Sequence, residues 1–271
     1  MDAARIAKLL EPFLGSPDQQ PSIQGLISTI STYIDILRRW NARINLTAIR
    51  DPEEIVTRHF GESLFAARRL FPSSAHVGIT APGSSAERSS AAVRARQGDR
   101  KGHGFSRADV ATGSGPVAPE RNAQDLRPNT QHHPTVADLG SGAGFPGIPI
   151  KLWAPDIALT LIESNHKKAA FLREVVRTLT LTDVNVQTAR AETLSAVSFD
   201  VVTLRAVERF SAVLPVAANL VAPAGRLALL IGSAQLAQAQ SALPDFLWRA
   251  PEPIPLSKSR ILAVCCRPSG E

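Results

Sequence analysis

Four glycines stand within the eight residues 140–147 of "TVADLGSGAGFPGIPI", directly after a run that reads as a buried strand. Backbone without β-carbons can take positive φ and lets a ligand lie against the main chain. The pattern is ambiguous. Gly140, Gly142 and Gly144 spell G-x-G-x-G, whereas Gly142, Gly144 and Gly147 spell the dinucleotide signature G-x-G-x-x-G. A pyrophosphate seeks amide donors at a helix N-terminus and is repelled by a carboxylate. S-adenosylmethionine (SAM) carries no phosphate, but has an ammonium group and a sulfonium. Asp138 precedes the first glycine by two residues, where its carboxylate can attract that ammonium directly or through water, or else link to loop amides. Electrostatics thus favours SAM over a nicotinamide dinucleotide. An oxidoreductase also lacks its Tyr/Lys or His constellation here, since the only tyrosine, Tyr33, falls far upstream.

Two further places follow from the order of elements. "LTLIES" offers Glu163 at the end of a second strand, able to accept from ribose hydroxyls with either ligand, or to cap the helix that opens "NHKKAAFLREV". "ARAETL" supplies Ala191 and Glu192 after a third strand, where an amide and a carboxylate can read an adenine edge. Strands read at 135–139, 157–162, 184–189, 199–204 and 226–231, then at about 246–250 and 260–266. Helices fill 146–153, 166–179, 210–222 and 233–242. Strands separated by helices imply a mostly parallel sheet covered on both faces, finished by an antiparallel hairpin. The expectation is a doubly wound, Rossmann-like α/β domain over 135–271 with seven strands. Ligands in such sheets lie beyond the carboxyl ends of the strands, where the strand order reverses.

Upstream, residues 1–72 read as helical. Ile23, Leu26, Ile27, Ile30, Ile34 and Leu37 share one face, and "DPEEIVTRHFGESLFAARRLF" opens with Asp51 as cap, Pro52 at the first turn and Glu54 completing a capping-box-like start. Residues 73–134 are rich in Ser, Gly, Ala, Arg and Pro without apolar period, the composition of a disordered insertion. An arginine-bearing arm that brushes RNA, or a metal site at His132–His133, are the lesser readings of that stretch. The formal charge of +6 and pI near 9.9 favour a polyanionic partner. Cys265 and Cys266 are adjacent, which gives neither a disulfide framework nor metal-ligand spacing. No apolar run approaches the roughly 20 residues of a membrane span, and a cytoplasmic monomer is expected.

In these residues and their order the chain resembles the small-subunit ribosomal RNA methyltransferase G family, bacterial enzymes that methylate N7 of a guanine in 16S rRNA. "RRWNARINLTAIRDPEEIVTRHFGESL" resembles that family's amino-terminal signature. "VADLGSGAGFPGIPIKLWAPD", "LTLIESNHKKAAFLREV", "ARAETL" and "FDVVTLRAVERF" resemble its SAM-domain motifs in order. The resemblance implies SAM as cofactor, with Gly140 and Phe145 at the first loop, Ala191 and Glu192 after the third strand, and Arg205 after the fourth. It implies 16S rRNA or the small ribosomal subunit as partner. The departure from the family is the insertion.

Arg205 falls at the carboxyl end of the fourth strand, where a planar guanidinium suits the cofactor carboxylate, guanine O6 or a phosphate, or an internal salt link. Guanine N7 bears a lone pair and no proton, so no catalytic base and no metal are expected. The tetrapeptide of exocyclic-amine methyltransferases is missing, since "TLRAVERF" stands in its place, and no cysteine stands where a cytosine-C5 enzyme needs one. Arg38, Arg39, Arg43, Lys167 and Lys168 are candidate RNA contacts, or ordinary solvated faces.

Overall fold

Alternate residues along the central strands face opposite ways, and two apolar cores result. In β1 (Thr135–Leu139), Val136 belongs to one core and Ala137 and Leu139 to the other. β4 (Phe199–Arg205) repeats the pattern, with Val201 on the first side and Val202 and Leu204 on the second. The same alternation puts Asp138, Thr203 and Arg205 on the first side, the only polar side chains these two strands send there. The computed structural model describes residues 1–14, 23–72, 133–194, 198–205 and 210–269. These fall in one compact unit. The stretch read as a disordered insertion, apart from residues 133 and 134, lies outside the described residues, as does His132.

Seven strands lie in a row, in the order β3 (Val184–Gln187), β2 (Ala158–Ile162), β1, β4, β5 (Val221–Gly232), β8 (Arg260–Cys266) and β6 (Leu247–Trp248). An eighth, the two-residue β7 (Glu252–Pro253), also pairs with β8. The pairs from β3 through β5 are parallel, and β8 runs antiparallel to β5, β6 and β7. The chain steps outward through β2 and β3, then returns to the other flank of β1 for β4. The order therefore reverses between β1 and β4, which is where a crevice opens in such sheets. The expected strand at 246–250 shortens to β6 because Leu247 is 65 % exposed at the sheet's edge, with only β8 to pair. The expected helix 210–222 stops at Asn219, since apolar Leu220 and Val221 serve the sheet instead: Val221 begins β5.

The first side of the sheet is covered by α1 (Ala3–Leu14), α2 (Ile23–Asn41), α4 (Glu62–Leu70), α5 (Gly147–Trp153) and α6 (His166–Thr178). The second is covered by α7 (Phe210–Asn219) and α8 (Leu236–Ala242). The stretch expected as one helix from Pro52 to Phe71 is three pieces: α3 (Pro52–Glu54), a π-helical stretch Ile55–Gly61, and α4. Asp51 caps it as expected, accepting from the Glu54 amide at 2.8 Å, but the Glu54 carboxylate turns to Arg58 instead of completing a box. The widened turn ends at Gly61, against the ring of Phe13 in α1. A β-carbon there would lie 2.5 Å from that ring, so only glycine lets the two helices approach.

Hydrogen bonds tie the helical segment to the sheet domain. The Trp153 indole donates to the Phe71 carbonyl, Arg226 donates to the Leu70 carbonyl, and the Trp40 indole donates to Glu174 of α6. Gly61→Ala is expected to destabilise the fold by about 1–3 kcal/mol through overpacking against Phe13. Urea unfolding measures it, and recovery of stability in a Gly61→Ala, Phe13→Leu double variant identifies the ring as the cause.

Candidate cofactor site at the strand ends

The sheet's register gathers the residues singled out in the sequence. Gln187 pairs with Ile162, Ile162 with Leu139, and Leu139 with Leu204. The segments that follow these four positions therefore emerge side by side: Ala191–Glu192, Glu163, Gly140 and Arg205, in that order across the edge. Three strand spacings of about 4.8 Å make a row roughly 14 Å long, room for an extended nucleoside with an amino-acid tail.

At the row's centre the chain turns through Gly140, Gly142 and Gly144, all with positive φ. The Gly140 amide donates to the Ile162 carbonyl at 2.9 Å, which closes the turn onto β2. Gly144 is held from above: Tyr33 of α2 donates its hydroxyl to the Ala143 carbonyl at 2.6 Å, and a β-carbon on Gly144 would collide with that hydroxyl. Burial pushes the Tyr33 pKa well up, so the hydroxyl remains a donor. The next residue, Phe145, stacks with Tyr33 at 5.5 Å and with His59 at 4.7 Å, and Phe60 meets it edge-on at 5.0 Å. Its ring is thus committed to packing. Whatever Phe145 gives a ligand comes from its main chain.

Two carboxylates brace the turn. Glu163 accepts the Gly142 amide on one oxygen at 2.9 Å and the Asn165 amide on the other at 2.7 Å. Each carboxylate oxygen can accept a second hydrogen bond, so the ribose reading of Glu163 is compatible with this brace. Asp138 is different. It is 0 % exposed, accepts the Thr203 hydroxyl at 2.8 Å and the Gly147 amide at 3.2 Å, and burial pushes its pKa up to about 6. The expectation that its carboxylate attracts a cofactor ammonium gives way to the structural link: strand register sets Asp138 beside Thr203, and the pair anchors the start of α5. Ala191 and Glu192 form a short 3-10 turn beyond β3, Ala191 half-buried and Glu192 exposed.

Arg205 closes the row. Its side chain is 7 % exposed, and Nη2 donates to the Glu62 carboxylate at 3.1 Å, to the Arg58 carbonyl at 2.6 Å and towards His59 Nδ1 at 3.2 Å. The salt link weighed from sequence is therefore present. Yet Nε and Nη1 are buried without an acceptor among the described residues. Buried donors left unpaired cost free energy that a ligand's oxygens would recover. Desolvation, with Arg260 and Arg58 nearby, lowers the Arg205 pKa to about 10, which still leaves it charged at neutral pH. His59 is neutral: burial, then Arg205, Arg58 and Arg260, lower its pKa to about 3. Nδ1 accepts from Arg205, so Nε2 carries the proton, donated to the Thr47 hydroxyl at 2.8 Å. Both ring nitrogens are engaged, and His59 is an orienting group, not a base.

Thr47, Tyr33, His59, Glu62 and Thr203 are thus part of the site, and none was singled out for it in the sequence. The one available signal was the run "RRWNARINLTAIRDPEEIVTRHFGESL", whose match to a family signature marked the segment without assigning roles. Of the candidate RNA contacts, Arg38, Arg39, Arg43 and Lys167 are exposed and Lys168 is half-buried at the start of α6. Arg39 and Arg43 flank Trp40 beside Glu174.

The donor set fits SAM: a bare main-chain turn, a carboxylate beyond β2, an open turn beyond β3, and beyond β4 an arginine with two donors that have no acceptor among the described residues. Fold and site together define the doubly wound SAM-methyltransferase class. Comparison with known sequences narrows this further. The rRNA small subunit methyltransferase G family matches residues 26–78 and 123–249, and the chain belongs to that family. The match breaks within the stretch read as an insertion. A ribosomal RNA small subunit methyltransferase G of Stenotrophomonas maltophilia (strain K279a) is 33 % identical over 230 residues, 84 % of this chain and 78 % of the relative. Its counterpart in Halorhodospira halophila (strain DSM 244 / SL1) is 31 % identical over 244 residues, 89 % of this chain and 88 % of the relative.

The buried neutral His59 has a consequence for stability. Its pKa is about 3 in the fold against an ordinary 6.5, so between those values the unfolded chain binds more protons. Stability contributed by neutral His59 is complete above about pH 6.5 and is lost as pH falls towards 3, by up to about 1.4 kcal/mol per pH unit. Asp138 acts with opposite sign between about 6 and its ordinary 3.8, since the fold there holds the extra proton. A His59→Gln variant isolates the first effect. The stability gap between wild type and variant, from urea unfolding, should shrink from about pH 7 to about pH 4.5; a constant gap contradicts a buried neutral imidazole.

Proposed function

We propose that the protein binds SAM along the row of strand ends and transfers its methyl group to N7 of a guanine in 16S rRNA. Membership of the rRNA small subunit methyltransferase G family supports both cofactor and substrate class. The structural observation that carries the reading is Arg205, charged and buried, with two nitrogens that have no acceptor among the described residues, beside a bare glycine turn.

When bound, SAM supplies a methyl group made electrophilic by its sulfonium. The residues of this chain bind and orient. The Gly140–Gly144 main chain and Glu163 hold the nucleoside, Ala191 and Glu192 read the adenine edge, and the free Arg205 nitrogens take the amino-acid carboxylate or the acceptor base. In-line displacement rewards alignment above all. Guanine N7 has no proton to lose, and the one imidazole in the site, with both nitrogens occupied, has no lone pair to offer. Arg205 is anchored through Nη2 alone, so its orientation is set before a ligand arrives. The reading carries with it a monomer acting in the cytoplasm; among the described residues, no helix is long and apolar enough to cross a membrane.

Mass spectrometry of 16S rRNA from a deletion strain should show one guanine N7 methyl group missing, restored by the wild-type gene. Unchanged methylation at every guanine N7 would falsify the proposal. Gly140→Val forces a β-branched residue to positive φ and should weaken SAM binding at least tenfold by calorimetry, and Glu192→Ala several-fold. Arg205→Lys keeps the charge and removes the planar fork; methyl transfer should fall on the order of a hundredfold, with the fold retained. Wild-type SAM affinity in both Gly140→Val and Glu192→Ala refutes the assigned site.

A further inference from the structure

Because β8 is antiparallel to β5, its first residue lies at the same edge as the last of β5: Gly232 pairs with Arg260. Beyond that pair is a cavity of about 520 Å³. Thr57, Arg58 and Glu62 of the π-helical stretch and α4 wall one side, and the segment from Pro255 to Arg260 walls the other. The cofactor reading uses the strand ends from β3 to β4. The acceptor strand must then approach over the remaining half of the edge, where this cavity lies.

Among the described residues, the charges there do not balance. A single carboxylate oxygen, Glu62 Oε2, serves both Arg205 at 3.1 Å and Arg260 at 3.0 Å, and the Arg260 contact is an ion pair without hydrogen-bond geometry. Among the described residues, Arg58 pairs with Glu54 alone, at the surface, and Lys258 is exposed. The surplus is felt inside the protein: Arg58 and Arg260 both push down the pKa of Arg205 and of His59. A corner where cations outnumber carboxylates suits a polyanion. A second observation is independent of charge. Leu256, on the cavity wall beside Pro255, is 72 % exposed and holds a left-handed backbone with φ 57°. Leucine rarely adopts that conformation, and no burial offsets it, which is the kind of local strain found where a ligand is met.

We propose that this cavity is an RNA subsite that takes one nucleotide of the substrate strand beside the target guanosine. Its phosphate is held by Arg58, Lys258 and Arg260, and its base lies against Pro255 and Leu256. The identity of the RNA rests on the function proposed above; the subsite is tested separately from it. The full-length protein is compared with Lys258→Ala, Lys258→Glu and Leu256→Ser, and with Lys8→Ala on α1 as a control. Affinity for 16S rRNA, naked or in small subunits, is measured over a range of salt concentrations, SAM affinity by calorimetry, and the rRNA KM for methyl transfer.

Lys258→Ala should weaken rRNA binding about three- to tenfold and lower the slope of log affinity against log salt by about one. Lys258→Glu should weaken it further, and Leu256→Ser should raise KM without changing the salt slope. SAM affinity should stay within twofold in all of these, and Lys8→Ala should match the wild type. Unchanged rRNA affinity, salt slope and KM in Lys258→Ala and Lys258→Glu, with methyl transfer intact, overturns the subsite and leaves the function standing. Wild-type rRNA binding that depends on Lys258, without methyl transfer, overturns the function and leaves the subsite. A wild type that binds no rRNA overturns both.

Discussion

The glycine turn at the centre of the row rests on one contact between distant parts of the chain: the Tyr33 hydroxyl on the Ala143 carbonyl, with the Phe145 ring stacked against Tyr33 and His59. The glycines that open the turn to a ligand also leave it free to take many other shapes, because glycine loses the most conformational freedom on ordering. Glu163 and Asp138 restrain the turn from the sheet side. The helices before the sheet restrain it from the opposite side, through one hydrogen bond and a cluster of four aromatic rings worth about 0.5–1.5 kcal/mol per pair beyond their burial. The amino-terminal segment is therefore a wall of the candidate site.

The same wall sets the electrostatics. Glu62 is almost fully buried and shared by two arginines, an arrangement whose desolvation cost rivals its Coulomb gain. As a device for stability it is poor. As a device for orientation it is effective: Arg205 is anchored through one nitrogen to a carboxylate, a carbonyl and a neutral imidazole, while its other two nitrogens have no acceptor among the described residues. Donors fixed in advance, in a site of low dielectric, need no reorganisation when the ligand's charge arrives. The π-helical stretch supplies the imidazole and the carbonyl of this arrangement, so that rare geometry lies beside the candidate site.

The sheet and the edge where its parallel strands end were legible from the sequence, since apolar runs bounded by glycine, proline and charged residues mark buried strands directly. So were Gly140, Glu163, Ala191, Glu192 and Arg205 as strand-end residues, because a parallel sheet puts successive carboxyl ends on one edge. Tyr33 and His59 were not. Their partners are far along the chain, 110 residues away for the Tyr33 hydroxyl, and apolar periodicity over the seven residues of Ile55–Gly61 does not distinguish a π-helix from an α-helix. Asp138 was misjudged for a related reason. Its place at the end of a strand was read correctly, but its burial depends on Thr203 and Gly147 closing over it, which only the packed structure fixes.

The role of the amino-terminal wall is tested most directly by amide hydrogen exchange across residues 140–147 in wild type and Tyr33→Phe. The account predicts faster exchange in the glycine turn of the variant, unchanged protection in β3 and β8, and restored protection at saturating SAM. Wild-type exchange rates in the turn of the Tyr33→Phe protein would show that the sheet alone holds it, and would contradict the account.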